Sequence, residues 1–238
     1  MTTIITESSP SPLGGEGRGE GLPHASTLRL LAWLSPAFPT GGFAYSHGIE
    51  WAVESADITN GPTLQSWLET LLRHGTGRSD AILCRHAHRA ANNPEQLAAL
   101  TELALAATPA AERRAEAVHQ GNAFLAAATP WPPRPQLEGD TPYAIAVGAT
   151  AGLHAIPEST AAAALLHAFT ANLISAAVRI IPLGQSTGLQ VLAALEPVIL
   201  AVTAETETAT LDDLGTATWR SDLAAMHHET QYTRLFRS

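Results

Sequence analysis

The sequence predicts an all-α fold: a single-domain, multi-helix bundle over residues 26–238, preceded by a disordered Gly/Pro/Ser-rich tail over residues 1–25. Three observations carry this reading. Apolar residues recur at three- and four-residue spacing through most of the chain. Proline, asparagine and glycine punctuate those stretches where helices would start and stop. Strand-like alternation extends past four residues only around residues 202–208. With 238 residues, 45% of them hydrophobic, the chain is long and apolar enough to bury one sizeable core.

Taken in order, the tail contains Pro12-Leu-Gly-Gly-Glu-Gly-Arg-Gly-Glu-Gly21, which has too little apolar surface to offset the entropy of ordering it. From Ser26 the spacing turns helical, with Ser26 or Thr27 as cap and Leu28, Leu31 and Leu34 on one face. Ser35-Pro36 and Phe38-Pro39-Thr-Gly-Gly42 break that helix. The clearest amphipathic helix covers 63–74, where Leu64, Trp67, Leu68, Leu71 and Leu72 follow i, i+3, i+4, i+7, i+8 after the start signal Asn60-Gly-Pro62. Ser79-Asp80 opens a helix to about residue 91, Pro94 starts another to about 107, and Thr108-Pro109 a third to about 128. The five prolines, Trp131 and Gly139 of residues 129–142 form a loop between two helical halves. Thr141-Pro142 and Pro157-Glu158 repeat the start signal, the second for a long Ala/Leu/Ile helix that ends at Pro182-Leu-Gly184. Ser186 is expected to cap the next helix and Pro197 to kink or end it. A Thr-rich stretch then leads to a last helical region at 211–228.

Charge and composition exclude several function classes. Asp and Glu outnumber basic residues by 22 to 13, every basic residue is Arg, and the net charge of -9 opposes non-specific binding to nucleic acid. The single Cys84 forms no intrachain disulfide, which fits a reducing compartment, and a cytoplasmic location is expected. Residues 1–10 lack a basic region followed by an apolar run, so no secretory leader is expected. The apolar stretch 161–183 has spanning length but contains His167, Asn172 and Arg179, and is read as a buried helix rather than a membrane span.

Catalysis finds no visible home in the sequence. His86 and His88 are two residues apart and His227 and His228 adjacent, so neither pair shares a helical face as metal ligands would. Cys84 sits among Ile82, Leu83 and Ala87 and reads as a small buried hydrophobe. The segments 39–48 and 182–188 are glycine-rich but lack Gly-Lys-Ser/Thr, and without a lysine the chain has no Walker A site. Both read as helix–turn–helix corners in which Gly supplies positive φ or close packing. The ending, Met226-His-His-Glu-Thr-Gln-Tyr-Thr-Arg-Leu-Phe-Arg-Ser238, is rich in interface residue types, and it docks either onto a partner or onto the chain's own core.

Four segments resemble the urease accessory protein UreF family. They are Leu34-Ser-Pro-Ala-Phe-Pro-Thr-Gly-Gly-Phe-Ala-Tyr-Ser-His-Gly-Ile-Glu50, Tyr143-Ala-Ile-Ala-Val-Gly148, Ala171-Asn-Leu-Ile-Ser-Ala-Ala-Val-Arg-Ile-Ile-Pro-Leu-Gly-Gln185 with Thr187-Gly188, and His228-Glu-Thr-Gln-Tyr-Thr-Arg-Leu-Phe-Arg-Ser238. The resemblance implies an all-helical, homodimeric, non-enzymatic scaffold that binds no cofactor or metal of its own. It would bridge the accessory protein UreD/UreH and the GTPase UreG on apo-urease, with nickel passing through the complex. On that basis Phe43, Tyr45, His47 and Glu50 are candidates for the surface that receives the GTPase, unless Phe43 and Tyr45 fill the core. Glu229, Gln231, Tyr232, Arg234 and Arg237 form a second candidate patch. Asn172, Arg179 and Gln185 are either structural or line a polar channel. Two other readings stay open: an Arg that promotes GTP hydrolysis by the bound GTPase, and direct nickel binding through His or Cys84.

Overall fold

The computed structural model describes residues 24–108 and 110–238. Among these residues it contains α-helices and two short 3-10 turns, with no strand. The helices are α1 (His24–Trp33), α2 (Ile49–Glu54), α3 (Gly61–His74), α4 (Thr76–Arg89), α5 (Pro94–Ala106), α6 (Ala111–Ala127), α7 (Tyr143–Leu153), α8 (Glu158–Ile180), α9 (Gly184–Glu205) and α10 (Trp219–His228). The 3-10 turns are Gly42–Ala44 and Leu211–Asp213.

The start of α3 shows how local chemistry fixes an element. The Asn60 Oδ1 accepts from the Thr63 N–H at 3.0 Å, Thr63 Oγ1 accepts from the Asn60 N–H at 3.0 Å, and proline occupies the first turn. Leu64, Leu68, Leu71 and Leu72 are buried and Trp67 is half-buried, as the periodicity predicts.

Two apolar clusters share α4 and α8 as common walls. The first gathers Trp33, Phe124, Ile145 and Leu165 with Leu83 and Cys84 of α4, and the second gathers Ile49, Leu64, Leu68, Leu173 and Leu195 with Ala81 of α4. Between them, α4 and α7 meet at backbone contact: a Cβ on Gly148 would lie 2.2 Å from the Cys84 carbonyl oxygen. The run Tyr143-Ala-Ile-Ala-Val-Gly148 therefore has to be small on the face toward α4. On the other flank of α4, the buried Arg85 donates to Glu158 Oε1 at 2.6 Å and to the Thr203 carbonyl at 2.6 Å, tying α4 to α8 and α9. Arg89 adds a fork on the same carboxylate, at 2.8 and 2.7 Å. Burial pushes Glu158 up, but these guanidinium bonds outweigh it and hold the carboxyl below its ordinary range.

Several expectations need correction. Most of the proposed tail lies outside the described residues, but His24 and Ala25 already belong to α1. Ser26 is inside that helix rather than its cap. Leu28 and Leu31 face outward while Leu30 and Trp33 are buried, because Trp33 packs edge-on against Phe124 and Trp131. Helix α4 begins at Thr76, directly after Gly75, not at Ser79. The Pro109 start signal lies outside the described residues; α6 begins at Ala111. Pro197 sits inside α9, since it and Ala193 face solvent, where water can meet the Ala193 carbonyl that loses its intrahelical donor. Ser186 is likewise inside α9. Residues 211–228 are a 3-10 turn and a separate α10 rather than one helical region, and the alternating residues 202–208 run off the end of α9.

Helices α8 and α9 are long and apolar enough to cross a membrane by length and composition. In the structure they pack on each other, α8 also on α4 and α9 also on α3.

The contact at Gly148 gives a direct test. Gly148→Ala is expected to destabilise the protein by on the order of 1–3 kcal/mol, because two helix backbones must separate. Urea unfolding of the variant beside the native protein measures it.

Candidate partner-docking site

The corner between α1 and α2 turns on three residues with positive φ, Gly41, His47 and Gly48. At Gly48 (φ +81°) a Cβ would also meet the Ala225 nitrogen of α10 at 2.9 Å, so glycine serves both the turn and the close approach. The 3-10 turn Gly42–Ala44 lifts Phe43 into solvent, 70% exposed. Helix α8 holds that turn by two carbonyls: Asn172 Nδ2 donates to the Gly42 oxygen at 3.0 Å and Arg179 to the Phe43 oxygen at 2.7 Å. Tyr45 then points inward, its hydroxyl 2.9 Å from His119 Nδ1.

Residues 229–238 run from the end of α10 back across this corner as a strap. Glu229 accepts from the Ala111 N–H at 2.8 Å, at the open N-terminus of α6. Gln231 bonds Glu54, and Arg234 pairs with Glu112. The Glu50 carboxylate accepts the main-chain N–H groups of Leu235 at 2.6 Å and Phe236 at 2.9 Å. Phe236 is buried under Arg179, whose guanidinium carbon lies 4.4 Å from the ring centre. The Arg237 N–H donates to the Ala44 carbonyl at 2.8 Å. The Ser46 N–H donates to the Ser238 main-chain oxygen at 2.9 Å.

The structure therefore joins two sequence-distant segments into one surface. Phe43 is exposed on the corner, and Tyr232, Arg234, Leu235 and Arg237 are exposed along the strap. Glu50, Glu229 and Gln231 fasten the strap from below. His47 points inward, as Tyr45 does, so both shape the corner without being presented on it. Arg179 is exposed rather than near-buried, and bonds the corner. Gln185 is exposed at the start of α9 and shares no hydrogen bond with Asn172 or Arg179 among the described contacts.

Behind the corner lies a cavity of about 320 Å³, lined in part by His47, Asp80, Arg113, Glu116, Gln120 and Asn172. His47 Nδ1 is 3.4 Å from Glu116 Oε2 and its Nε2 is 3.2 Å from Thr76 Oγ1. Burial, reinforced by Arg113, pulls His47 below the ordinary histidine range, which fits a neutral ring donating to Glu116 and accepting from Thr76. Burial pushes Glu116 up, but His47, the Ser238 hydroxyl at 2.7 Å and Arg113 outweigh it and hold the carboxyl low. Arg113 is paired with Asp222 at 2.8 Å, while its Nε has no hydrogen-bond partner. Asp80 is pushed up to about 7, first by burial.

Sequence reasoning missed Asp80, Glu112, Arg113, Glu116 and Asp222. A signal existed for part of the set, because Arg113, Glu116 and Gln120 fall at i, i+3 and i+7 on the stripe that also carries the buried Phe124. The other polar candidates diverge. His86 and His88 bond the separate carbonyls of Ala209 and Ile156, at 3.2 and 2.7 Å, and His227 stacks on Trp51. Among the described residues no three His, Cys, Asp or Glu side chains gather as a metal site. Burial, and then Asp80, push the Cys84 thiol up to about 12, so it is inert.

Comparison with known proteins settles the family. The UreF family model matches residues 58–196, more than half of the chain. This chain belongs to the UreF family. Among curated UreF relatives, a "Urease accessory protein UreF" of Rhodopseudomonas palustris (strain BisB18) is 48% identical over 223 residues, covering 90% of this chain and 92% of the relative. Proteins of the same name from Bradyrhizobium sp. (strain BTAi1) and Xanthobacter autotrophicus are each 48% identical, over 91% and 94% of this chain and 94% and 97% of their own lengths. The family model takes in α3 through part of α9, including α6 and α8, but not the corner, α2, α10 or the strap.

Asp80 supplies a pH prediction. Its folded-state pKa lies above its ordinary value, so ionisation costs stability increasingly as pH rises from about 4 to about 7. Asp80→Asn removes that cost. The rise in Tm that it confers should grow between pH 5 and pH 8, and a melting series across that range checks it.

Proposed function

We propose that this chain is a non-enzymatic urease accessory protein that scaffolds nickel insertion into apo-urease by bridging UreD/UreH and the GTPase UreG. The observation that carries the reading is the composite surface, in which the 42–44 turn and the strap present Phe43, Tyr232, Leu235, Arg234 and Arg237 on a frame fastened at residues 229, 231 and 234–238. Exposed aromatic and arginine side chains on a rigid support have the composition of a binding hot spot. Family membership supports the urease connection. On this reading the protein acts in the cytoplasm as a homodimer, away from nucleic acid and membranes, and nickel is cargo of the assembly rather than a resident cofactor.

The test is size-exclusion chromatography with light scattering, mixing the protein first with UreD/UreH and then with UreG, GTP and nickel. A heteromeric complex is expected. Tyr232→Ala combined with Leu235→Ala removes exposed side chains without touching the strap's internal bonds, and should weaken recruitment at least tenfold. Failure of any partner to co-elute under every nucleotide condition overturns the proposal.

A second reading, promotion of GTP hydrolysis, is favoured at one residue. Arg179 and Arg234 are engaged internally, whereas the Arg237 guanidinium makes no hydrogen bond or ion pair among the described contacts. An arginine placed in a GTPase site is worth on the order of 1000-fold in turnover. If Arg237→Ala weakens complex formation yet leaves turnover unchanged once the complex is saturated, the role is recruitment alone.

A further inference from the structure

The strap is fastened by an unusual concentration of carboxylates around one buried histidine. His228 is fully buried; its Nδ1 lies 2.6 Å from Glu112 Oε2 on α6 and its Nε2 3.1 Å from Glu50 Oε2 on α2. A neutral imidazole has one donor and one acceptor nitrogen, so it can donate to only one of these carboxylates. Donation to both requires the imidazolium. The same two carboxylates hold the strap: Glu50 accepts the Leu235 and Phe236 N–H groups, and Glu112 pairs with Arg234. His228, Arg234, Glu50 and Glu112 form a set with no net charge when the ring is protonated, and with an excess negative charge, beside a buried ring, when it is not.

The other charged groups in the surroundings do not replace that proton. Arg113, the next residue on α6, is committed to Asp222 of α10. Glu116, one turn along α6, holds Ser238 and His47. From the strap side come Glu229, bound to the Ala111 N–H, and Gln231, bound to Glu54 of α2. The neighbouring His227 is turned away onto Trp51.

We propose that the proton on His228 is a latch that keeps the strap docked, so that its loss loosens residues 230–238 and dismantles the surface they share with the Phe43 corner. Deprotonation turns one ring nitrogen into an acceptor facing a carboxylate oxygen and breaks one hydrogen bond; Glu112 keeps Arg234, whereas Glu50 is left without a counter-charge. Glu50 is the weak point. Its oxygens hold two strap amides, and any shift of that carboxylate away from the lone pair stretches both bonds. The inference deepens the proposed docking role and rests on it for its consequence, but the latch belongs to this chain alone and is tested without partners.

Amide hydrogen exchange at Leu235 and Phe236 reads the latch directly in the full-length protein, as protection factors corrected for intrinsic rates, from about pH 5 to about pH 10. Protection in the native protein is expected to fall at least tenfold toward the alkaline end, while core amides of α4 and α7 keep theirs. In His228→Gln, whose side chain carries no titrating charge, protection at the two amides should be low and flat with pH. NMR titration of the His228 ring in the native protein is the second measurement, and its midpoint should coincide with the loss of strap protection. Native protection that stays constant across the range, a His228→Gln profile that follows the native one, or a ring midpoint that differs from the protection midpoint overturns the latch. If His228→Gln does not fold, the two native-protein midpoints decide the matter. If the latch holds but partner recruitment does not follow its pH profile, the docking surface fails and the latch stands.

Discussion

The Glu50 carboxylate is the constraint on which the exposed architecture depends. One short helix, α2, places it where it accepts from two strap amides and faces the buried His228 ring, so it ties together the corner, α10 and the final residues. Buried carboxylates are costly unless their oxygens are satisfied. Here the satisfaction comes from a segment that would otherwise fray, and the strap is ordered by the same bonds that make Glu50 tolerable. The exposed side chains of the strap are held in place by the groups behind them.

Beneath this surface, rigidity comes from close packing. Alanine and glycine on α7 let it approach α4 to backbone contact, and Arg85 with Glu158 ties α4 to α8 and α9 on the opposite flank. Helix α8 then reaches the corner with Asn172 and Arg179. A displacement in the α4–α8 unit is therefore passed to the Phe43 turn through two hydrogen bonds to main-chain carbonyls. The cavity behind the corner is the less settled region, because its buried charges only partly match, as the orphan Arg113 Nε shows.

Much of the helix framework was legible in the sequence, because start signals and periodicity are local. Asn60-Gly-Pro62 and the leucine spacing of α3 are examples, as is Pro94 at the start of α5. Local signals failed where tertiary contact chose between alternatives. Leu28 and Leu31 look like an inner face until Trp33 takes that place among Phe124 and Trp131. Pro197 reads as a kink or an end, and the structure overturns the end: α9 continues through it with the Ala193 carbonyl open to water. At the site, Phe43, Glu50, Tyr232, Arg234 and Arg237 were singled out from sequence, whereas Asp80, Glu112, Arg113, Glu116 and Asp222 were not, since a charged residue on a helix reads as solvated unless its burial is known.

By itself the sequence determined the helical class, most helix starts and the family to which the chain belongs, all of which follow from local spacing or from residue identity. The tertiary structure decided that residues 43 and 235 share one surface, that Tyr45 and His47 turn inward, and that the ending of the chain is folded onto its own body while still presenting Tyr232 and Leu235. Those outcomes depend on which carboxylate lies opposite which amide across nearly two hundred residues of chain. No local pattern encodes that pairing, because it exists only once α2, α6 and α10 have packed.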